Sequence, residues 1–261
     1  MILSYDISEL RPYINWVYFF FAWQLKDEDE QQRIRQEAEK FLSEHEGHYK
    51  AHALFLLLEA HSEGDDIVVE HDGESIVLPL LRQQTGAPCL CLSDFVSPEK
   101  DLIGLFATST DSGMETDFNY DPYAKMMAQL LADRLAEAAA ERMHQEVRTH
   151  YWGYARDEQL TMEDLHLERF QGIRPAVGYP SLPDASINFL LDKVLDMKQI
   201  GVRLTENGAM RPHASVSGLM IAHPQARYFS VGKIGEDQLR DYARRRAVPV
   251  EMARKFLAAN M

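Results

Sequence analysis

Chemistry in this chain depends on a few groups whose type and spacing could hold a ligand, a metal or a proton. The segment "IRPAVGYP", residues 173–180, is the richest of them. Arg174 offers a planar fork suited to a carboxylate or phosphate. Pro175 and Pro180 fix their own φ and push the residues before them toward extended backbone. Gly178 can take angles or close approaches that a side chain forbids. The extended backbone after Arg174 leaves N–H and C=O groups free to pair with the edge of a flat heterocycle, and Tyr179 adds an amphipathic ring. These residues suit a small-molecule groove; a rigid loop crossing the core fits them equally well.

Other constellations carry less. There is no G-x-G-x-x-G and no G-x-x-x-x-G-K-[ST], so a nucleotide-like ligand would not rest in a glycine-rich phosphate cradle. "HASVSG" resembles a nucleophile elbow only at a glance, because Val216 stands at the centre and Ala214 at the first position. "HEGHYKAH" spaces His45, His48 and His52 along one helical face, but its charged setting and Gly47 favour a solvated surface over a metal site. "CLC" would place Cys89 and Cys91 on one side of a strand, where zinc would lack two further thiolate ligands. Glu137, flanked by Asp133, Arg134 and Glu141, reads by spacing as part of a solvated helix face.

The elements that must position these groups follow from pattern and punctuation. "WVYFFFAWQL" is a buried helix or strand, which periodicity cannot separate at that length. Asp27 to about Glu46 has helical spacing, with Ile34, Ala38, Phe41 and Leu42 on one side. Ile67 to Leu78 reads as a hairpin turning at Asp72-Gly73. "PCLCLSDFV" and "LIGLFATST" read as strands. Asp121 caps a long helix with Pro122 in its first turn, running to about His150. A shorter helix follows, then a helix opened by Pro183 and stopped by Gly201. Two strands, "ASVSGLMIAH" and "ARYFSVGKI", flank a turn at Pro224-Gln225, and two short helices finish the chain. The pattern is α+β with antiparallel hairpins rather than a regular βαβ alternation.

Composition bounds the rest. The 261 residues, 46% hydrophobic, suffice for a sizeable core. A net charge of -14 argues against broad binding to nucleic acid or an anionic membrane, and against a DNA-binding role for the last two helices despite Arg244 to Arg246. No apolar run approaches the ~20 residues of a membrane span, and the N-terminus lacks a signal-peptide pattern. Two cysteines fit a reduced, cytoplasmic setting.

Several motifs occur together in one order and spacing: "ELRPYINW", "LRQQTG", "LSDFV", "IGLFA", "LADRLAEA", "YWGYA", "QGIRPAVGYP", "LTENGAM", "ASVSG", "RYFSVGKI" and "DYARRR". In these the chain closely resembles the activation (reactivation) domain of cobalamin-dependent methionine synthase, over essentially its whole length. The resemblance implies one C-shaped α+β domain, residues 1–261, with a curved antiparallel sheet and flanking helices. It implies that the domain binds S-adenosylmethionine and presents its methyl group for reductive methylation of cob(II)alamin. The cobalamin would be held by a separate domain or subunit, and the electron would come from a flavodoxin-like or flavoprotein donor. Isolated, the chain is not expected to make methionine, having no thiolate cluster to activate homocysteine. A non-catalytic sensor of S-adenosylmethionine or a corrinoid is the alternative.

Residue by residue, the resemblance puts Arg174 on the ligand carboxylate and the Ala176 backbone beside the ligand. Tyr228 and Phe229 fall on the second strand, where backbone contacts are expected, and Glu137 and Glu168 near the ligand. Tyr179, with the His213–Ala214–Ser215 loop, would face the corrin. The chain departs from the family in three places. Asn15 stands where an aspartate commonly meets the ligand's ammonium group, His213 where a small residue is usual, and Gly208 where an aromatic is common.

Overall fold

The computed structural model describes residues 1–261. In chain order the elements are β1 (Ile2–Asp6), α1 (Ile7–Leu10), α2 (Trp16–Ala22), α3 (Glu28–Glu44), β2 (Lys50–Glu63), β3 (Asp66–His71), β4 (Glu74–Pro79) and β5 (Asp101–Thr110). Then come α4 (Gly113–Thr116), α5 (Pro122–Glu146), α6 (Met162–His166), α7 (Asn188–Leu195), β6 (Arg203–Leu204), β7 (Met210–Arg211), β8 (Ser215–Met220), α8 (Glu236–Arg245) and α9 (Val250–Phe256). The main sheet is antiparallel, in the order β4-β3-β2-β5-β8, with β1 also paired to β2. This is the mixed α+β architecture expected from the sequence, with helices packed on an open antiparallel sheet.

The sheet is covered on both faces, and the two-residue period of its strands sorts the side chains. Ala51, Ala53 and Phe55 of β2, Phe106 of β5 and Val216 and Met220 of β8 point into one core, shared with α5 and α1 to α3. Leu54 and Leu58, Ile103 and Leu105, and Leu219 point into the other, shared with α7. Buried hydroxyls follow the same alternation: Thr108 donates to the Ala136 carbonyl of α5 at 2.9 Å, and Ser109 to the Ile200 carbonyl at 2.6 Å on the opposite face. These two hydroxyls are thereby satisfied, whereas that of Thr110, next on β5, is buried without a partner.

α5 is the spine of the site. Asp121 accepts hydrogen bonds from the Tyr123 and Ala124 amides, and Pro122 fills the first turn, as its sequence indicated. Ala136, Ala138, Ala139 and Ala140 are all buried, and their small side chains let the helix lie close on the sheet. It ends earlier than expected, giving way to a π turn over Val147–Tyr151. The hairpin is present, with Asp72 and Gly73 both at positive φ and His71 opposite Glu74.

Five expectations need correction. "WVYFFFAWQL" is not a buried element: it forms α2, in which only Phe19 is buried, while Tyr18 and Phe21 are exposed because that side faces an open hollow. "PCLCLSDFV" is not a strand: Leu92–Phe95 form a short 3-10 turn, because Asp94 accepts from the Cys91 amide at 2.8 Å and is forked by Arg82. The two thiols therefore do not share a strand face; Cys91 is buried, and burial raises its pKa to about 11. "ARYFSVGKI" pairs with no strand, because the free edge of β8 is taken by the "IRPAV" segment, with Ile173 opposite Ile221 and Ala176 opposite Gly218. The helix after Pro183 is broken: Asp196 takes a left-handed φ of 51° and separates α7 from a 3-10 turn at Met197–Ile200. His45, His48 and His52 share no helical face, since α3 stops at Glu44 and His52 lies on β2; no cluster of metal-ligand type exists in the chain.

Candidate functional site

The segment 173–177 is an added edge to the sheet. Ile173 exchanges two backbone hydrogen bonds with Ile221, Leu219 donates to the Pro175 carbonyl at 3.0 Å, and Val177 donates to Ser217 at 2.8 Å. Alternate groups therefore face outward. The Arg174 amide donates to the Tyr228 hydroxyl at 2.9 Å, whereas the Arg174 carbonyl and the Ala176 amide take no part in any hydrogen bond. Gly218 allows this close approach, because a Cβ there would strike the Pro175 carbonyl and lie 2.9 Å from the Ala176 Cα. Gly178, at φ 90°, lets the chain turn so that its amide bonds to Leu182 at 2.8 Å and Tyr179 swings back over the edge.

A groove opens in front of this edge. It comprises two adjoining hollows of about 350 and 460 Å³ that share Tyr18, Glu137, Glu168, Arg174 and Tyr179. The first is completed by Asn15 and Glu141, the second by Ala176, Tyr228 and Phe229. Their sizes fall within the ~300–1,000 Å³ typical of small-molecule sites.

Of the residues singled out from the sequence, eight surround this space: Asn15, Glu137, Glu168, Arg174, Ala176, Tyr179, Tyr228 and Phe229. Asn15 caps α2, its Oδ1 accepting from the Val17 amide at 3.1 Å. Tyr179 donates to Glu137 at 2.8 Å; burial, with that carboxylate beside it, pushes the phenol's pKa upward. Tyr228 has its pKa raised to about 12, chiefly by burial. Glu168 sits at φ 55° just past α6, and burial raises its carboxyl above the ordinary range while Arg174 opposes the shift. Phe229 braces this wall against the second core and the small core of α8 and α9. The remaining three line neither hollow. His213 is exposed beside Arg211, Ala214 is buried in the first core, and the Ser215 hydroxyl donates to the Pro212 carbonyl at 2.8 Å.

One groove residue had no special standing in the sequence. Glu141, one turn beyond Glu137 on α5, accepts from Arg174 Nη2 at 2.9 Å, with both side chains nearly buried. Burial alone would lower the Arg174 pKa; Glu141 more than offsets it and holds the guanidinium firmly charged. Arg174 Nε and Glu141 Oε1 are buried without partners. The only sequence signal was the four-residue step from Glu137, which a solvent-facing helix would show equally. Beneath them His144 is fully buried, and burial together with Arg148 and Arg174 keeps it neutral.

Chemically, the groove can hold a flat heterocycle against two free backbone groups and an anionic end against a guanidinium ringed by carboxylates. Residues 6–247 match the family described as vitamin B12 dependent methionine synthase, activation domain. The fold is similar to the crystal structure of the MetH reactivation domain bound to AdoHcy, with a TM-score of 0.92 and 38% sequence identity. That alignment covers 100% of this chain and 90% of the other. The chain belongs to the activation domains of vitamin B12-dependent methionine synthase.

Proposed function

We propose that this domain binds S-adenosylmethionine in the groove and presents its methyl group to a cobalamin held by a partner domain or subunit. The observation that carries the reading is the open backbone edge beside Arg174. The Ala176 amide and the Arg174 carbonyl form a donor–acceptor pair suited to the adenine edge, and the Arg174 guanidinium, which lines the same groove, suits the methionyl carboxylate. Glu137 and Glu168 suit the ammonium group, and Tyr228 and Phe229 wall the adenosine. The bound ligand in the solved relative, AdoHcy, is the demethylated form of this donor. Tyr179, half exposed at the rim, is placed to meet the incoming corrin.

Cobalamin, held by the partner, would supply a cobalt centre able to take the methyl group, and a flavodoxin-like or flavoprotein donor would supply the one electron required. The chain's own part is to orient the donor. Its prolines and the ladder to β8 hold the edge rigid before ligand arrives, so less ordering is required on binding. Calorimetric titration with S-adenosylmethionine tests binding, and its absence would sink the proposal. Reactivation of a cob(II)alamin-loaded partner, with reductant and S-adenosylmethionine present, separates methyl donation from mere sensing.

A further inference from the structure

An arginine beside an adenine site is a hazard. Adenine nucleotides carry the same base and a phosphate that a guanidinium fork binds well. The charges around Arg174 bear on this. Five ionised groups line the first hollow: Glu137, Glu141 and Glu168 against Arg174 and Arg134. Arg134 stands at the rim with its guanidinium 5.9 Å from the Tyr18 ring, whereas Arg174 is nearly buried and already bonded to Glu141. The Glu141 oxygen left over is buried and unpaired, so its charge acts on the groove undiminished by any second donor.

We infer that Glu141 is a specificity-determining residue: it leaves Arg174 able to take a carboxylate that arrives with its own cation, and unable to take the phosphate of an adenine nucleotide. This rests on the reading that the groove binds S-adenosylmethionine. That ligand brings a monoanionic carboxylate flanked by an ammonium and a sulfonium, and its net positive charge suits the carboxylate excess. Adenosine monophosphate brings about two negative charges at pH 7. It meets Glu137, Glu141 and Glu168 with no cation of its own to offset them. Selectivity arises here from a repulsive element placed against the competitor as much as from contacts to the ligand.

Glu141→Gln isolates the charge, since the amide oxygen can still accept from Arg174 Nη2. The 261-residue chain and its variant are titrated with S-adenosylmethionine and with adenosine monophosphate at low salt. Adenosine monophosphate should tighten by about tenfold or more, and S-adenosylmethionine should weaken. Glu141→Asp, which keeps the charge, should leave the nucleotide excluded. A purely structural role would weaken both ligands together, and that result, or an unmoved nucleotide affinity, overturns the inference. Salt provides a test on the unmodified chain: screening should weaken S-adenosylmethionine and strengthen adenosine monophosphate, and parallel shifts would overturn it. If the unmodified chain binds no S-adenosylmethionine, the proposed function itself falls; if it binds and the selectivity ratio stays fixed, only the role of Glu141 does.

Discussion

Replacing Arg174 with alanine separates what this residue does for the fold from what it does for the ligand. Its side chain and that of Glu141 are only 11% and 13% exposed, and they are joined at 2.9 Å. Removing one partner of a buried pair costs about 3–5 kcal/mol, because the other charge stays behind without compensation. Neither side chain is fully buried, so the lower end applies, and Arg174→Ala should cost ~3 kcal/mol of stability. Adding Glu141→Gln removes the stranded charge, so the double variant should recover ~1–2 kcal/mol of that loss. Urea unfolding of the four proteins of this cycle, without ligand at pH 7, measures the coupling. Strict additivity would show that the pair carries no energy. For the ligand, Arg174→Ala should weaken S-adenosylmethionine binding by ~1.5–3 kcal/mol, and Arg174→Lys should restore part of it, lacking the fork. An unchanged dissociation constant in Arg174→Ala would remove the side chain from the site.

Three further outcomes follow from the same geometry. Asn15→Asp keeps the cap on the Val17 amide and adds a charge facing the ligand's cations, so calorimetry should show S-adenosylmethionine tighter by ~0.5–1.5 kcal/mol at unchanged stability. Equal or weaker binding would mean that Glu137, Glu141 and Glu168 already saturate those cations. Gly218→Ala drives a methyl into the Pro175 carbonyl and should cost ~1–3 kcal/mol in thermal unfolding while lowering ligand affinity from the far side of the edge; wild-type values in both would refute the close approach. Glu168→Gly relieves a left-handed φ of 55° and should stabilise the ligand-free chain by about 1 kcal/mol while weakening binding. A variant that loses stability would show that Glu168 is held by contacts rather than strained.

The features legible in the sequence were those written locally. Asp121-Pro122 announces the start of α5, and Asp72-Gly73 the β3–β4 turn, because caps and tight turns are decided within four residues. β2 was not legible. Its run "ALFLLL" is buried on both faces, so the alternation that marks a strand is missing, and the two cores that hide it are built from distant helices. The failure of "ARYFSVGKI" as a strand has the same origin. Its composition suits a strand, but the β8 edge it would have joined is occupied by residues 173–176, far upstream in the chain. Glu141 was hidden because a charged helix face and a groove wall have identical spacing; only the return of the chain at Arg174 distinguishes them.

That return also explains why two prolines flank the working edge. An exposed strand edge is a row of unpaired backbone groups, which invites another strand as readily as a ligand. Here the row is short. Pro175 and Pro180 bring no amide, the Arg174 amide is held by Tyr228, and the Ala176 carbonyl accepts from the Tyr179 amide at 3.2 Å. Between residues 174 and 176 what remains free is the Arg174 carbonyl and the Ala176 amide, one acceptor and one donor. That suffices for one side of a purine ring. It is too little to template a strand, so the residues proposed to hold a small flat ligand also protect the sheet from pairing with another copy of itself.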